Sequence, residues 1–408
     1  MFSKKNIKNK KNKNPKKTKK KNGGKAIDSG GFGCIFNPAL KCKTKTNRTK
    51  GISKLSFLED SNKEFNILKN VQKYLSKIPN YDKFFLIKDI TKCTPDKLSI
   101  SDKNQFDKCF SLTEHGITGS NINTKLQELS ILNMPYGGVN LDVVVDKKLV
   151  TIKKYNSLLT TLLKKAIVPM NNQNIYHFDI KSMNILYKNN SVKIIDFGEI
   201  GISTSEEIIP YILFNRNIQY NSPFSRILFS NFINFTISKI FTENKVTPKT
   251  NNIKKFKLIG LAYEEYVKMY GFAHQIFIGE YLFPEIFKLI PSNLVKKLFG
   301  LSSDNLNYQI ILSELIVNYL LEVINKYFDY KVMKLDVEKY FIEVYSKNVD
   351  IYGLISCYVP FIIDKKAIYP DNLKLKISNI LFKYCYNSKY SIKVIEVDEL
   401  ISDLDKLN

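Results

Sequence analysis

The pattern of hydrophobic and polar positions divides the chain into a β-rich first part and a longer helical part. Short apolar runs bounded by turn residues predict strands between 25 and 57 and over 129–134. A helix is predicted over 61–75, and most of the chain beyond residue 220 has a helical pattern. The clearest amphipathic helix has apolar residues spaced by three and four, at Tyr155, Leu158, Leu159, Leu162, Leu163, Ala166 and Ile167.

A β-hairpin is predicted soon after this helix. Its strands are Ile185-Leu186-Tyr187 and Val192-Lys193-Ile194-Ile195, and residues 188–191 form the turn. Because a hairpin returns the chain to the end from which it started, Asn184 and Asp196, which flank the hairpin, are expected to lie close together. An amide oxygen and a carboxylate are ligands that suit Mg²⁺.

Composition fits a globular protein with a basic tail. The 408 residues are 44% hydrophobic and 25% charged, which excludes wholesale disorder. The length exceeds the roughly 250–300 residues at which one core stops growing, so two lobes are expected. Twelve lysines and no acid lie in residues 1–25, which hold nearly half of the net charge of +25. A whole-body nucleic-acid binder is therefore disfavoured.

Residues 1–24 are predicted to be a disordered basic tail. Three interpretations of it stay open: a solvated tail that reflects an AT-rich coding sequence, non-specific contact with a polyanion, and a nuclear address.

Hydropathy predicts a protein without a membrane span, and cysteine usage predicts the redox state of its thiols. The six cysteines form no CxxC pair, and three histidines are too few for a zinc cluster. No signal peptide is recognisable at the start, and no run of about 18 apolar residues occurs. We therefore expect free thiols in a reducing, cytoplasmic compartment.

A glycine-rich stretch is the first candidate for phosphate binding. Ile27-Asp28-Ser29-Gly30-Gly31-Phe32-Gly33-Cys34-Ile35 has a strand–turn–strand pattern. Glycines let backbone N–H groups approach phosphates, because no Cβ intervenes. By itself this signal is weak, since glycine turns are common.

The second candidate is the loop from His177 to Asn184, which is followed by Asp196-Phe197-Gly198 after the hairpin. It offers a carboxylate (Asp179), a cation (Lys181) and two metal ligands, which are the parts that phosphoryl transfer needs. Together with the glycine-rich hairpin, the pattern Asp-x-Lys-x-x-Asn followed by Asp-Phe-Gly resembles the eukaryotic-type serine/threonine protein kinases. The resemblance covers about residues 25–225.

The resemblance implies an α+β, two-lobed protein-kinase-like fold, with a β-rich N-lobe over 25–135 and a mostly α-helical C-lobe over 136–408. It implies an ATP- and Mg²⁺-dependent enzyme that transfers the γ-phosphate to Ser or Thr hydroxyls of protein substrates. The implied catalytic residues are Asp179 as base and Lys181 at the γ-phosphate, and the implied metal ligands are Asn184 and Asp196.

The nucleotide-binding residues also follow from the resemblance. Residues 27–35 correspond to the phosphate-covering loop, with Asp28 where the first glycine usually stands and Ile35 beside the adenine. Lys54 resembles the strand lysine at the α/β-phosphates, and Glu64 its helix partner. Met134 and Tyr136 resemble the hinge that binds adenine.

Several residues have a second interpretation or depart from the family pattern. Glu64 could close a capping box that begins at Ser61. We expect His177 to bond backbone near Asp196 rather than to act in catalysis. Phe178 stands where the family often has Arg, which disfavours control by phosphorylation. Between Asp196 and Asp304 there is no Asp, so the aspartate that usually anchors the catalytic loop is expected to be absent.

The Lys/Asn-rich composition and Tyr220-Asn221-Ser222-Pro223 resemble kinases of giant nucleocytoplasmic large DNA viruses, the mimivirus-like group. This resemblance implies the host cytoplasm as location and leaves packaging in the virion open. The alternatives for function are an inactive scaffold with a kinase fold, a small-molecule phosphotransferase, and a polyanion-binding module led by the tail.

Overall fold

The computed structural model describes residues 24–30, 33–44, 50–214, 216–290 and 307–408. These fall into two compact units. The first holds the described residues up to Asn62 together with Ile90–Pro135, and the second holds Lys63–Asp89 together with Tyr136–Asn408. The second unit thus includes a segment that the sequence analysis assigned to the first lobe. The predicted tail lies outside the described residues, apart from Gly24.

The first unit is built on an antiparallel sheet in the order β1-β2-β3-β5-β4. Its strands are β1 Lys25–Gly30, β2 Gly33–Asn37, β3 Ile52–Phe57, β4 Thr91–Cys93 and β5 Leu129–Met134. The buried core of this unit includes Phe36, Leu55, Phe106 and Ile131, so residues of the insertion between β4 and β5 pack with the sheet. The expectation of a β-rich first part is confirmed.

The second unit contains short antiparallel ribbons among helices. The strands are β6 Val139–Asn140, β7 Ile175–Tyr176, β8 Ile185–Lys188, β9 Ser191–Ile194, β10 Gly201–Ile202, β11 Phe328–Asp329 and β12 Lys334–Leu335. They pair as β6-β8-β9, β7 with β10, and β11 with β12. The described structure is therefore mixed α/β and largely helical, with small antiparallel sheets.

The predicted hairpin is confirmed by β8 and β9. Ile185 pairs with Ile194 and Lys188 with Ser191. The two turn residues, Asn189 and Asn190, have φ values of 50° and 59°, a backbone conformation that Asn tolerates better than most residues. The Asn-Asn pair thus sets the register of the hairpin.

The α-helices of the described residues are, in chain order, Leu58–Leu75, Tyr81–Phe84, Phe110–Thr113, Leu141–Asp146, Ile152–Leu162, Val168–Asn171, Asn231–Glu243, Asn252–Tyr270, His274–Ile276, Phe283–Phe287, Tyr308–Tyr327, Val337–Tyr340, Ser346–Ser356, Pro360–Ile363, Asp371–Leu381 and Val397–Asp405. π-Helical turns occupy Leu163–Ile167, Phe277–Leu282, Phe341–Tyr345 and Phe382–Tyr386.

Two helix predictions are tested by these bounds. The amphipathic pattern from Tyr155 to Ile167 lies on the helix that begins at Ile152 and continues through the π-helical turn, and its seven apolar residues are all buried. The helix predicted from residue 61 begins at Leu58. Ser61 therefore lies inside that helix, and the capping-box interpretation of Glu64 is wrong.

The cysteines differ from the sequence expectation. Cys34 is bonded to Cys109, and Cys42 to Cys93. Only Cys357 and Cys385 are free thiols, and both are buried. The expectation of free thiols is wrong for four of the six residues, because the fold brings together cysteines that are 75 and 51 residues apart. The inference of a reducing compartment from free thiols loses its basis.

The helices of the structure agree with the prediction that the chain has no membrane span. Across the described parts of the chain, every helix is too short or too polar to span a bilayer.

Candidate functional site

Asp179 is the centre of a hydrogen-bonded cluster in the second unit. The residue is only 6% exposed. Lys181 Nζ lies 2.8 and 3.1 Å from its two carboxylate oxygens, and the amide nitrogens of Asn184 and Asn221 donate to it, each at 2.9 Å. An ammonium and two amides thus fix the orientation of a carboxylate that water scarcely reaches.

Asn184 connects this cluster to the hairpin. Its side-chain nitrogen also donates to the Asp179 carbonyl at 3.0 Å, while its backbone carbonyl accepts the N–H of Ile195 at 2.9 Å. The chain therefore returns beside Asn184 one residue before Asp196. The predicted convergence of the two ends of the hairpin is present in the backbone.

The chemistry of this pair suits a hard cation. The Asn184 nitrogen points to Asp179, which leaves the amide oxygen as the atom for a metal, and Asp196 is an exposed carboxylate with φ 64°. A non-glycine residue in that left-handed conformation is uncommon and often marks a functional position. In the described part of the chain, no group of three His, Cys, Asp or Glu could hold a metal. Because the amide and the carboxylate both offer oxygen, the pair fits Mg²⁺, which prefers oxygen ligands and keeps waters as further ligands, better than a transition metal.

His177 has the structural role that its sequence position suggested. A ring nitrogen, Nε2, lies 3.0 Å from the Ile195 carbonyl, next to Asp196. Its ring also packs against Phe197, with the ring centroids 5.5 Å apart. The histidine is fully buried, and these contacts join the loop that carries Asp179 to the segment around Asp196.

The expected absence of an anchoring aspartate is wrong. Asp350 Oδ2 accepts the backbone N–H of His177, and its Oδ1 accepts that of Phe178, both at 2.9 Å. Asp350 lies on the helix Ser346–Ser356, 173 residues away from His177 in sequence. The sequence did not indicate this role, because Asp350 lies far beyond the stretch from Asp196 to Asp304 in which an anchoring aspartate was expected.

Asp350 is wholly buried, and burial raises the pKa of its carboxyl. His177 and the two backbone N–H groups act in the opposite direction, since they favour the charged form. On the same helix, Gly353 allows close packing: a Cβ there would lie 2.5 Å from the Ile180 carbonyl oxygen. One helix thus holds the loop before Asn184 through Asp350 and leaves room for that loop at Gly353.

In the first unit, the structure brings Gly33 and Lys54 together. Lys54 lies on β3, opposite Ile35 of β2 and Leu132 of β5. A Cβ on Gly33 would lie 3.0 Å from Lys54 Cε and 2.9 Å from the Leu55 carbonyl oxygen. The lysine stem therefore passes under the start of β2, and only glycine leaves it room.

The other described residues of the predicted phosphate loop lie on β1 and β2, which pair with each other. Gly31 and Phe32 lie outside the described residues. Ile27, Asp28, Ser29 and Gly30 belong to β1, while Cys34 and Ile35 belong to β2. The Asp28 carboxylate accepts the N–H of Ser29 at 2.9 Å. Cys34 is buried and is bonded to Cys109.

The remaining predicted residues lie at strand ends and on a helix. Met134 ends β5, opposite Ile52. Tyr136 is 38% exposed, and its carbonyl accepts a hydrogen bond from Lys188 Nζ at 2.9 Å. Glu64 lies in the second turn of the helix Leu58–Leu75.

Two residues that sequence reasoning had not assigned belong to the cluster, Asp350 and Asn221. Asn221 also donates to the Ile180 carbonyl at 3.1 Å and is buried. Its only sequence signal is its place in Tyr220-Asn221-Ser222-Pro223, which gives no indication of a bond to Asp179.

A third residue that sequence reasoning had not assigned, His274, lies beside Tyr220, whose backbone N–H donates to its Nδ1 at 3.4 Å. Burial, together with the charge of Lys181, lowers the pKa of His274.

No known protein family matches the chain, and no curated protein is significantly similar to it.

Proposed function

We propose that the chain is an ATP- and Mg²⁺-dependent protein kinase that transfers the γ-phosphate to Ser or Thr hydroxyls. The observation that carries the proposal is the cluster around Asp179, in which Lys181 and Asn184 converge on one nearly buried carboxylate. The order of motifs, glycine-rich hairpin, Asp-x-Lys-x-x-Asn and Asp-Phe-Gly, supports it. A two-lobed protein-kinase-like arrangement of the chain is part of this proposal.

Asp179 is the proposed general base. The acceptor hydroxyl oxygen forms a bond to the γ-phosphorus, the bond from that phosphorus to the β,γ-bridging oxygen breaks, and ADP leaves. The proton of the hydroxyl passes to the Asp179 carboxylate. Asn221 and Asn184 hold that carboxylate in one orientation, so that it faces the hydroxyl without further ordering.

The two lysines of the proposed mechanism, Lys181 and Lys54, have different roles. Lys181, which pairs with Asp179 here, is expected to steady the γ-phosphoryl oxygens. Lys54, beneath Gly33, is expected to contact the α/β-phosphates. Asn184 and Asp196 are the residues that would hold Mg²⁺, which neutralises charge on the phosphates when it is bound.

The rival functions have less support. A small-molecule phosphotransferase would be favoured by the lack of an aspartate that anchors the loop before Asp179, and Asp350 supplies that anchor. An inactive scaffold is disfavoured because Lys54, Asp179, Asn184 and Asp196 are all present.

The test combines binding with transfer. We expect ATP with Mg²⁺ to raise the melting temperature of the purified chain, and EDTA to abolish the effect. We also expect label from [γ-³²P]ATP to appear on Ser or Thr of a mixed protein extract. In Asp196→Ala, Mg²⁺-dependent binding should be lost. Binding without transfer would point to a scaffold, and label on small molecules alone to a different phosphotransferase.

A further inference from the structure

Arg226 is an arginine with no solvent exposure. It lies in the 3₁₀ turn Phe224–Phe229, shortly after Asn221. Burying a guanidinium is costly unless partners compensate for its lost hydration. The partners of Arg226 therefore indicate what the residue is for.

These partners come from three segments of the candidate site. Arg226 Nη1 donates to Gln219 Oε1 at 2.6 Å and to the Phe178 carbonyl at 3.4 Å, and Nη2 lies 3.9 Å from the Glu199 carboxylate. Phe178 directly precedes Asp179, Glu199 follows Asp196 by three residues, and Gln219 precedes Asn221 by two. One side chain thus touches the three stretches that carry Asp179, Asp196 and Asn221.

Phe178 is the position at which this contact matters most. Its φ of 59° is in the left-handed region, which an aromatic residue rarely adopts. Its N–H donates to Asp350, and its carbonyl accepts from Arg226. The strained peptide next to Asp179 is therefore held from both sides, and loss of Arg226 would release one of them.

Glu199 supplies the negative charge of this group. Its carboxylate is paired with Arg216 as well as lying near Arg226. Arg216 is itself held, because Tyr266 donates its hydroxyl to the Arg216 carbonyl at 3.0 Å. A half-buried carboxylate thus pairs with one guanidinium and lies near a second, and both guanidiniums come from the far end of the segment that follows Asp196.

We propose that Arg226 is a positioning residue for the proposed phosphoryl transfer, and that Glu199 is the fixed anion that, without a phosphoryl group, holds the stretch after Asp196 to the stretch 216–226. The proposal rests on the proposed function. Arg226 touches no reacting atom; it acts by fixing the Phe178 peptide, and through it the direction of the Asp179 carboxylate.

The test uses the full chain in five forms: wild type, Arg226→Gln, Arg226→Lys, Glu199→Gln and the exposed control Glu264→Gln. Displacement of a catalytic group by about 1 Å can lower the rate about 10²-fold, so we expect a kcat loss of that order in Arg226→Gln with an unchanged KM for ATP. Arg226→Lys should recover part of it, because lysine keeps the charge but not the fork of donors. Glu199→Gln should lower kcat, and Glu264→Gln should not.

Phosphatase-treated wild type, with residues 199–226 unmodified by mass spectrometry, should keep full turnover. Activity that appears only after phosphorylation in that segment overturns the role of Glu199. Wild-type kcat in Arg226→Gln and Glu199→Gln overturns the positioning role. If Arg226→Gln does not fold, Arg226→Lys and Glu199→Gln carry the comparison.

A separate measurement distinguishes failure of this proposal from failure of the proposed function. If wild type transfers no phosphate, hydrogen exchange decides the positioning role. Faster exchange in Glu199→Gln and Arg226→Lys at amides of 177–180 and 216–221 together, with β3 and β5 unchanged, supports the proposal. Unaltered exchange at those amides overturns it.

Discussion

Asp350 Oδ2 accepts the backbone N–H of His177 at 2.9 Å, although 173 residues separate the two along the chain. The same carboxylate accepts the N–H of Phe178. A single side chain from a late helix therefore fixes the start of the loop that carries Asp179. This relationship makes the helix Ser346–Ser356 part of the candidate site.

Asp350→Asn is expected to lower turnover more than it lowers stability. An amide in this position can accept only through its oxygen, so one of the two N–H groups faces another donor, at a cost of about 1–3 kcal/mol. The loop loses one of its two bonds, and Asp179 loses its fixed orientation. Steady-state kinetics and urea unfolding measure the two effects. Wild-type kcat in a folded variant would contradict the anchor role.

Gly353→Ala tests the same helix by packing. A new Cβ would meet the Ile180 carbonyl oxygen at 2.5 Å, so the helix and the loop must move apart, at a cost of about 1–3 kcal/mol. Gly260→Ala is the matched control, because it is also helical and its Cβ meets no atom within 4 Å. Alanine should stabilise that helix slightly. Equal unfolding free energies for the two variants would refute the close contact at Gly353.

Asp179→Asn is expected to lower turnover by about 10²–10⁴-fold, because it removes the proposed proton acceptor while it keeps the shape of the side chain. ATP binding should persist in a thermal-shift titration, since Asp179 is not a proposed nucleotide ligand. The control is Asp398→Asn, whose carboxylate is 95% exposed. Full transfer activity in Asp179→Asn would reject the role of general base.

Gly33→Ala is expected to weaken ATP binding and to destabilise the first unit. Its Cβ would displace either the Lys54 stem or the Leu55 carbonyl, at a cost of about 1–3 kcal/mol. Gly260→Ala is the steric control, since it lies outside the proposed nucleotide-binding residues and no atom lies within 4 Å of the added Cβ. Isothermal titration with ATP and Mg²⁺ compares the two. Wild-type affinity for ATP in Gly33→Ala would show that ATP binding does not require the space that Gly33 leaves for the Lys54 side chain.

The two disulfides are expected to stabilise the protein by about 2–4 kcal/mol each, because they cross-link distant parts of the unfolded chain. Alkylation in denaturant without reductant should modify only the two free thiols, Cys357 and Cys385, and all six cysteines after reduction. Reduction should also lower the melting temperature. Six alkylated thiols in protein that had never been reduced would contradict the pairing.

The stability of the protein should depend on pH through His274. Burial and the charge of Lys181 lower its pKa from the ordinary value of 6.5, so the unfolded chain takes up the proton first as the pH falls. The contribution is fully present above pH 6.5 and is lost as the pH falls through the lowered pKa. His274→Gln should therefore lose less stability than wild type from pH 7.5 downward. Parallel melting curves at each pH would exclude this role.

Much of the local structure could be predicted because it depends on neighbouring residues. The spacing from Tyr155 to Ile167 determined a helix, since only that period gathers the apolar side chains on one face. The turn chemistry of Asn189 and Asn190 determined the hairpin, and the hairpin brought Asn184 beside Ile195. The bond from His177 to the backbone next to Asp196 followed from the same local geometry.

What only the tertiary structure decided involves residues far apart in sequence. The pairing of Cys34 with Cys109, the bond from Asn221 to Asp179 and the anchoring by Asp350 depend on how elements pack, and no local pattern encodes a partner at such a separation. By itself the sequence determined which residue types could carry the chemistry. The packing of helices on the loop determined which distant side chains hold them, because buried N–H and carboxylate groups must find partners wherever the fold brings them.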